Sequence, residues 1–316
     1  MVSGRITDTS EAQDKLMKIV FSYRTDIRKE RVVESYPRCY TRVLRELGHQ
    51  VLEIGDGHSN PVLSKVKQKN YDLFLEMDNG RSQSGKLRFQ LQKFKSELPS
   101  AVILIDTHGN PELHEEVAKK YDHVFFAVYD KRDRFTGHPS AHWSPNATDY
   151  LWFNPFIEKI EKPEFDIGFF GSKGGLGRAD ILKEVCKDIG LSYDIRQVGK
   201  PYRHRWPQTC VAMLNCQALF NKGQKHDSPN QRVMESMTCR KLLFSDIDPR
   251  SGMSLLFEEG VDYIGYENKE DLKEKMIWTA YNKDKAAEIA NRGFEKVRDN
   301  HQVKNRVEKI LEVVTK

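Results

Sequence analysis

Short apolar runs alternate with longer stretches of helical periodicity over the first part of the chain. Because they are rich in β-branched and aromatic residues, the runs predict five strands, at residues 17–23, 49–55, 71–77, 101–106 and 122–128. Helical spacing predicts helices at 31–48, 85–98 and 110–121, with a short helix between the second and third strands. Apolar strands that alternate with helices are typical of a parallel sheet covered on both faces.

The alternation stops at residues 131–165, where prolines and aromatic residues leave no regular period, and then resumes. The second part predicts strands at 166–170, 193–199, 211–217, 241–246 and 261–266. It predicts helices at 178–190 and 229–239, and long charged helices from about 268 to the end. The pattern therefore indicates two doubly wound α/β units in series, joined near 155–165, with a ligand cleft beyond the carboxyl ends of the strands.

We expect four parts along the chain. A flexible tail at 1–12 is followed by two Rossmann-like units, the N-terminal one at 13–155 and the C-terminal one at 165–300. A last helix at 301–316 packs back on the first unit. The chain has 316 residues, of which 38% are hydrophobic and 31% charged, as in folded, soluble proteins. No apolar run approaches the ~20 residues that span a bilayer, and the polar start lacks a secretory signal.

Cysteine content and charge indicate a cellular compartment and possible kinds of ligand, but they do not define a function. The five cysteines show no metal-type spacing, so we expect buried free thiols and a reducing, cytoplasmic location. A net charge of +5 is compatible with an anionic ligand or a nucleic acid, but no long basic block supports either.

Two segments of the second unit carry candidate anion-binding groups. FFGSKGGLGR (169–178) places small residues between a strand and a helix, where Gly171, Ser172 and Arg178 can meet a phosphate. A flexible turn explains the same residues, because the glycines do not have the spacing of a Walker loop or of a dinucleotide fingerprint.

The segment SPNQRVMESMTCRKLLFSD (228–246) places polar groups at the start of a helix that leads into a strand. Arg232 can bind a diphosphate bidentately, and Glu235 can accept both hydroxyls of a ribose. An ordinary helix capped by Ser228 or Asn230, with Glu235 in solvent, explains the same pattern.

This segment resembles the "N-x-R-x-x-E-x-x-x-x-G-x-x-L-x-x-D" segment of bacterial glycosyltransferases of the CgeB-like, group 1 type. Other segments resemble that family as well, namely IDTHGN (105–110), SAHWSPNATDYLWFNP (140–155), DIGFFGSKGGLGRADIL (166–182), LFEEGVDYIGYENKEDLKEKM (256–276) and IANRGFEKVRDNHQVKNRVEKIL (289–311). The chain differs at Arg240, where the family usually has glycine.

The resemblance implies a GT-B fold, in which the C-terminal unit binds a nucleotide-sugar donor and the N-terminal unit binds the acceptor. It assigns Glu235 to the ribose, and Asn230 and Arg232 to the diphosphate or sugar. Phosphate would be held by Gly171 and Ser172, with charge from Arg178. The donor, a UDP-sugar by this resemblance, is a substrate, and no tightly bound cofactor or metal is expected.

Candidate catalytic groups follow the strands of the first unit. Asp106 and His108, in IDTHGN, can serve as the base that a sugar transfer with inversion needs, or they can merely cap the next helix. Glu76 and Asp78, at the end of another strand, are the alternative bases. SDID (245–248) is similar to a metal-binding DxD motif, and we interpret it as a strand-end turn.

The acceptor is the least defined part of the prediction. A hydroxyl of a saccharide or small molecule is our first choice. Interleaved basic and aromatic residues at 85–95, 131–134 and 200–206 leave open a glycosyltransferase that acts on hydroxymethylated bases of DNA, as in phages. A nucleotide-sugar-binding protein without turnover is the other alternative.

Overall fold

The computed structural model describes residues 16–23, 36–54, 70–78, 97–171, 177–197, 206–223 and 229–316. Four predicted elements lie outside these residues: the tail at 1–12, the short helix between the second and third strands, almost all of the helix at 85–98, and most of the glycine-containing turn. Within the described residues, no helix is both long and apolar enough to cross a bilayer.

The N-terminal unit is built on a parallel sheet whose described strands follow the order β2-β1-β3-β4-β5-β6. These strands are β1 (Lys18–Tyr23), β2 (Gln50–Ile54), β3 (Leu73–Asp78), β4 (Ser100–Leu104), β5 (His123–Phe126) and β6 (Ala141–Trp143). The described helices are α1 (Tyr36–Glu46) and α2 (Pro111–Ala118), with a 3-10 helix at Tyr129–Phe135. Every residue of β3 and β4 is buried, as expected for central strands covered on both faces.

The C-terminal unit has a second parallel sheet, with the order β11-β10-β9-β7-β8. Its strands are β7 (Phe165–Gly171), β8 (Tyr193–Gln197), β9 (Cys216–Asn221), β10 (Leu242–Asp246) and β11 (Ile264–Tyr266). The helices are α3 (Arg178–Ile189), α4 (Trp206–Leu214), α5 (Gln231–Thr238), α6 (Lys269–Tyr281), α7 (Lys283–Asn300) and α8 (Val303–Val314), with a 3-10 helix at Met253–Leu255. The predicted pair of doubly wound α/β units is confirmed.

Two sequence predictions are wrong in the middle of the chain. The strand predicted at 211–217 is the end of helix α4 followed by the start of β9, because a continuous apolar run has no period that separates a buried strand from a buried helix. The stretch 131–165, predicted to be irregular, contains β6, which pairs with β5 but is too short to show alternation.

Two helix ends show why the sequence tolerates unusual residues there. Pro37 is the second residue of α1, in the first turn, where a missing N–H breaks no helical hydrogen bond. Arg240, just after α5, has φ 55°, the left-handed conformation that glycine adopts most easily. Its guanidinium donates to Asn291 Oδ1 and lies over the Phe294 ring, so the helix-ending turn forms without glycine.

The last helix, α8, packs on the N-terminal unit. Its residues Val303, Val307 and Ile310 belong to the same buried cluster as Phe21 and Tyr40 of that unit. Arg306 Nε donates to the Pro145 carbonyl at 2.8 Å, and its Nη2 lies 2.9 Å from His301 Nδ1. The chain therefore completes its first hydrophobic core with its final helix.

Candidate active site

Each sheet has a topological switch point, where the helices that follow neighbouring strands lie on opposite faces. In the C-terminal sheet it lies between β7 and β9, and in the N-terminal sheet between β1 and β3. Ligands of such folds bind beyond the carboxyl ends of the strands at this point. The side chains at the ends of β7 and β9 are therefore the first to consider.

Arg232, in the first turn of α5, reaches across the carboxyl end of β7. Its Nε donates to the Phe170 carbonyl, and its guanidinium carbon lies 5.0 Å from the centre of the Phe169 ring. A Cβ on Gly171 would lie 2.3 Å from Arg232 Nη2, so only glycine lets the guanidinium approach this closely. The fold therefore places a fixed positive charge at the switch point.

Asn221 is a site residue that the sequence analysis missed. This buried residue ends β9, and its Oδ1 accepts hydrogen bonds from Asn230 Nδ2 at 3.1 Å and from Arg232 Nη1 at 3.0 Å. Its Nδ2 donates to Ser245 Oγ, and its carbonyl accepts from the Tyr266 hydroxyl. Because the strand prediction stopped at 217, Asn221 did not stand out as a strand-end residue.

Asn230 is the N-cap of α5, as the sequence allowed. Its Oδ1 accepts from the Arg232 backbone N–H at 3.1 Å, while its amide nitrogen donates to Asn221. The predicted cap and the predicted site group are thus one residue, and it ties the amino end of α5 to the end of β9. The remaining N–H groups of this helix end carry a partial positive charge.

Glu235 lies on α5, three residues after Arg232. It is half-buried, and within the described part of the chain no hydrogen bond to its carboxylate is found. Desolvation raises the pKa of Glu235 to about 8, against the opposing effect of the Arg232 charge. A desolvated carboxylate without a donor is suited to accept ligand hydroxyls.

Of the two remaining phosphate-binding candidates, Arg178 lies within the described residues and Ser172 does not. Arg178 is the first residue of α3, and its buried guanidinium donates to the Lys222 carbonyl, just beyond β9, at 3.3 Å. The structure brings it to the same edge of the sheet as Gly171. Ser172 lies outside the described residues.

Asp106 and His108 follow β4 in the N-terminal unit. The capping alternative is wrong for the following helix, because the N-cap of α2 is Asn110, whose side chain accepts from the Leu113 N–H. Asp106 has φ 58°, and its carbonyl accepts from the Gly109 N–H in a tight turn. A non-glycine residue in this conformation is uncommon, and aspartate adopts it more readily than most residues.

The imidazole of His114 joins these residues into one cluster. Burial lowers the pKa of His114, the carboxylates of Asp78 and Asp106 raise it, and His108 lowers it, so the four side chains share one electrostatic neighbourhood. His114 Nδ1 lies 3.0 Å from Thr107 Oγ1. Within the described residues, His108 Nδ1 and His114 Nε2 are buried without a hydrogen-bond partner. His114 was not predicted as a site residue because it lies inside a helix.

The two alternative bases have different surroundings. Asp78 ends β3 and belongs to the cluster around His114. Glu76, two residues earlier, is buried and accepts a hydrogen bond from the Tyr121 hydroxyl. The structure therefore brings Asp78 together with Asp106 and His108, while Glu76 is hydrogen-bonded to Tyr121.

The SDID segment forms a turn after β10. Asp246 Oδ1 accepts from the Gly223 N–H at 2.7 Å, and Asp248 Oδ1 accepts from the Arg250 N–H at 3.0 Å. Among the described residues, no group of three or more His, Cys, Asp or Glu is placed to hold a metal ion. Asp248 thus serves the local turn that the sequence predicted, whereas Asp246 links the end of β10 to the residues that follow β9.

Of the three basic segments, the structure describes residues 131–134, and most of their positive charge is paired with nearby carboxylates. Lys131 pairs with Asp130, and Arg134 pairs with Glu112 and Glu115. Arg132 lies over the Tyr129 ring, 4.3 Å from its centre. The basic segments at 85–95 and 200–205 lie outside the described residues.

The prediction of free cysteines is confirmed, since all five are free and buried.

Comparison with solved structures shows the GT-B glycosyltransferase fold. The chain is similar to HepE from Anabaena in complex with UDP and glucose, with a TM-score of 0.66 and 15% identity over 95% of this chain and 99% of that chain. It is similar to a glycosyltransferase from Rickettsia africae ESF-5, with a TM-score of 0.61 and 12% identity over 95% of this chain and 98% of that chain.

A third similar structure is an α-glucosyltransferase in complex with UDP and a 13-mer DNA containing an HMU base, with a TM-score of 0.65 and 10% identity over 96% of this chain and 100% of that chain. A search of the curated proteins found no match. The family model described as "Glycosyl transferase-like" matches residues 155–312, half of the chain, and the chain therefore belongs to this family.

Proposed function

We propose that the protein is a glycosyltransferase that transfers a sugar from a nucleotide-sugar donor, a UDP-sugar, to a hydroxyl of a saccharide or small molecule. The observation that carries the proposal is the position of Arg232, held over the end of β7 at the switch point and followed one turn later by Glu235. Family membership and the fold agree with it.

The donor site in this proposal combines three kinds of group. The amino end of α5 and the Arg232 guanidinium bind the diphosphate, since both carry positive charge and point N–H groups at the edge of the sheet. Glu235 accepts hydrogen bonds from the ribose hydroxyls. Gly171 approaches the phosphate from the β7 side, and the family resemblance adds the Ser172 hydroxyl. Asn221 positions Arg232 without itself binding the donor.

The acceptor site is proposed at the cluster that follows β3 and β4. His108, with Asp106 and Asp78 as neighbours, takes the proton from the acceptor hydroxyl in a transfer that inverts the sugar. The acceptor oxygen bonds to the anomeric carbon as the bond from that carbon to the diphosphate breaks. The leaving nucleoside diphosphate keeps the bonding electrons, and Arg232 stabilises its charge.

The proposal is tested by the release of UDP from UDP-sugars, with and without candidate acceptors, and by mass spectrometry of the product. His108→Ala should lower turnover by ~10²–10⁴-fold, as expected for loss of a general base, with donor affinity unchanged. His138→Ala is the matched control, because among the described residues His138 contacts the Tyr121 carbonyl and the Ser140 N–H and is not part of the cluster around His114. Full turnover of His108→Ala would assign the base to Asp78 or Asp106.

One alternative has specific support, and a second can be tested in the same assays. Similarity to the DNA α-glucosyltransferase favours hydroxymethylated bases of DNA as acceptor, although the ion pairs at 131–134 weaken the basic surface on which that prediction rested. Duplex DNA that binds steeply less as salt rises would support it. Donor binding without any UDP release would support a non-catalytic binding protein. The CgeB-like assignment and a cytoplasmic location stay predictions, and we propose a hexose as the transferred sugar.

A further inference from the structure

The two units touch at a turn that follows β10. Gly252 lies in this turn, is buried and has φ 77°, in the left-handed region. A Cβ on Gly252 would lie 2.8 Å from Tyr129 Cγ, 2.9 Å from Tyr129 Cβ and 3.1 Å from Trp143 Cζ2. Both aromatic residues belong to the N-terminal unit, so this glycine packs directly against the other half of the molecule. A side chain at position 252 would meet both a strained backbone and an occupied space.

The turn is held firmly within the C-terminal unit. The Ser251 N–H and Oγ both donate to the Asp248 carbonyl, at 3.0 and 2.7 Å, and Ser251 Oγ accepts from the Met253 N–H at 3.1 Å. The Met253 side chain belongs to the same buried cluster as Val233 of α5. The turn is therefore packed on the helix that carries Arg232.

The aromatic pair is held equally firmly within the N-terminal unit. The Tyr129 and Trp143 rings lie 4.8 Å apart between centres, and Trp143 Nε1 donates to the Ala127 carbonyl at 3.1 Å. Arg132 lies over the Tyr129 ring and donates to the Tyr129 carbonyl at 3.2 Å. Because the Tyr129 atoms nearest to Gly252 are Cβ and Cγ, at the base of the side chain, rotation of the ring cannot make room for a methyl group.

The contact lies one strand away from each half of the proposed site. The turn follows β10, which pairs with β9, the strand that ends at Asn221. Tyr129 follows β5, which pairs with β4, the strand that leads to Asp106 and His108. The two units therefore meet at the carboxyl edges of both sheets, beside the groups proposed to bind donor and acceptor.

The chain passes to the second unit after β6 and returns before α8, and these two crossings are hydrogen-bonded to each other. The Thr148 N–H donates to the His301 carbonyl at 3.1 Å, and the Val303 N–H donates to the Thr148 carbonyl at 2.9 Å. Crossings that lie side by side can act as a hinge, so the angle between the units depends on packing contacts such as that of Gly252.

We propose that Gly252 is a positioning residue, whose contact with Tyr129 and Trp143 holds the donor and acceptor halves of the site at their reacting separation. The proposal rests on the proposed glycosyl transfer, which needs the reacting atoms about 3–3.5 Å apart. Gly252 touches neither substrate and acts through the distance between the units.

The test compares Gly252→Ala with Gly260→Ala in the full chain. Gly260 is the matched control, because it lies in the same unit with φ 75° and a Cβ there has open space, so its variant carries the backbone strain without the clash. In Gly252→Ala, kcat for sugar transfer should fall by about tenfold to a hundredfold relative to Gly260→Ala, as for a displacement of ~1 Å between reacting groups. UDP affinity by calorimetry should be equal in the two variants, because Asn230 and Arg232 both lie in the C-terminal unit.

Tyr129→Ala removes the contact from the other unit without straining the turn, so it should also lower kcat and leave UDP affinity unchanged. Hydrogen-exchange mass spectrometry measures the contact itself, and exchange at 127–135 should rise in Gly252→Ala but not in Gly260→Ala. Equal kcat in the two glycine variants, full turnover of Tyr129→Ala, or unchanged exchange at 127–135 would each overturn the proposal. A parent that transfers no sugar would contradict the proposed function instead, and exchange at 127–135 would still decide whether Gly252 joins the two units.

Discussion

In our proposal Glu235 contacts the ribose, so the affinity for uridine should depend on the ionisation of Glu235. Its pKa of about 8 lies above the ordinary 4.5, so the fold favours the neutral carboxyl, and this stabilisation is lost as pH rises through 8. The ionised form is the better acceptor for ribose hydroxyls. The affinity for uridine should therefore rise from about pH 6 to about pH 9, by at most ~tenfold per pH unit below the pKa, and level off above it.

Uridine is the probe because it has the ribose but no phosphate, and its uracil N3–H ionises only at the upper end of this range. Glu235→Gln should bind uridine more weakly at high pH and lose the pH dependence, which calorimetry at several pH values measures. If the variant shows the same pH profile as the parent, Glu235 does not contact the ribose.

The close approach of Arg232 to Gly171 can be tested by adding a methyl group at position 171. In Gly171→Ala the new methyl group would meet the Arg232 guanidinium and displace it from the Phe170 carbonyl and from Asn221. The free energy of unfolding should then fall by ~1–3 kcal/mol for the lost hydrogen bonds, and UDP affinity should fall by about tenfold or more because the charge leaves the switch point. Gly137→Ala is the control, since a Cβ there has open space. Equal UDP affinity in Gly171→Ala and the parent would contradict this position for the diphosphate.

Individual site residues could be predicted from the sequence where polar side chains interrupted an apolar pattern. Asn230 and Arg232 were identifiable because they begin a helix just before a strand. Asn221 and His114 were not, since one followed a strand with wrongly predicted ends and the other was an ordinary helical residue. The spatial meeting of Asp78 with His114 depends on the pairing of β3 with β4, which no local pattern encodes.

Helix α5 is the element on which the donor site rests, and its N-cap can be tested separately from its ligand. Asn230→Ala should lower the free energy of unfolding by ~1 kcal/mol, the usual cost of a lost N-cap, and should also weaken UDP binding. Denaturant unfolding and calorimetry measure the two effects.

Asn268→Ala is the matched control for that prediction. Asn268 caps α6 through the Asp271 N–H in the same way, but it is not among the donor-site residues. Its variant should lose similar stability and keep the UDP affinity of the parent. If both variants lose UDP affinity equally, the effect of Asn230 is one of stability alone.

Element types followed from periodicity where helices and strands were long enough to show it. The exception at 211–217 concerns α4 and β9, which meet within one apolar stretch, where burial on all sides removes the period. Arg240 shows a different limit, because a left-handed turn without glycine depends on partners in α7 that are distant in sequence.

At the scale of the whole molecule, the last helix links the end of the chain to its first core. Ile310→Ala removes a buried side chain from the cluster that contains Phe21 and Tyr40, so it should lower the free energy of unfolding by ~2–5 kcal/mol. Lys309→Ala, on an exposed neighbour, should change it little. Equal stability of the two variants in urea unfolding would show that α8 does not complete the N-terminal core.

In our proposal, the carboxyl edge of the C-terminal sheet binds a nucleotide-sugar through Arg232. This binding is tested by calorimetric titration of UDP and uridine into the parent, Arg232→Lys and Asn268→Ala. Our account predicts that Arg232→Lys loses affinity for UDP but much less for uridine, because an ammonium cannot replace the two-pronged guanidinium at a diphosphate, while Asn268→Ala matches the parent for both. Equal losses for UDP and uridine in Arg232→Lys, or no UDP binding by the parent, would contradict it.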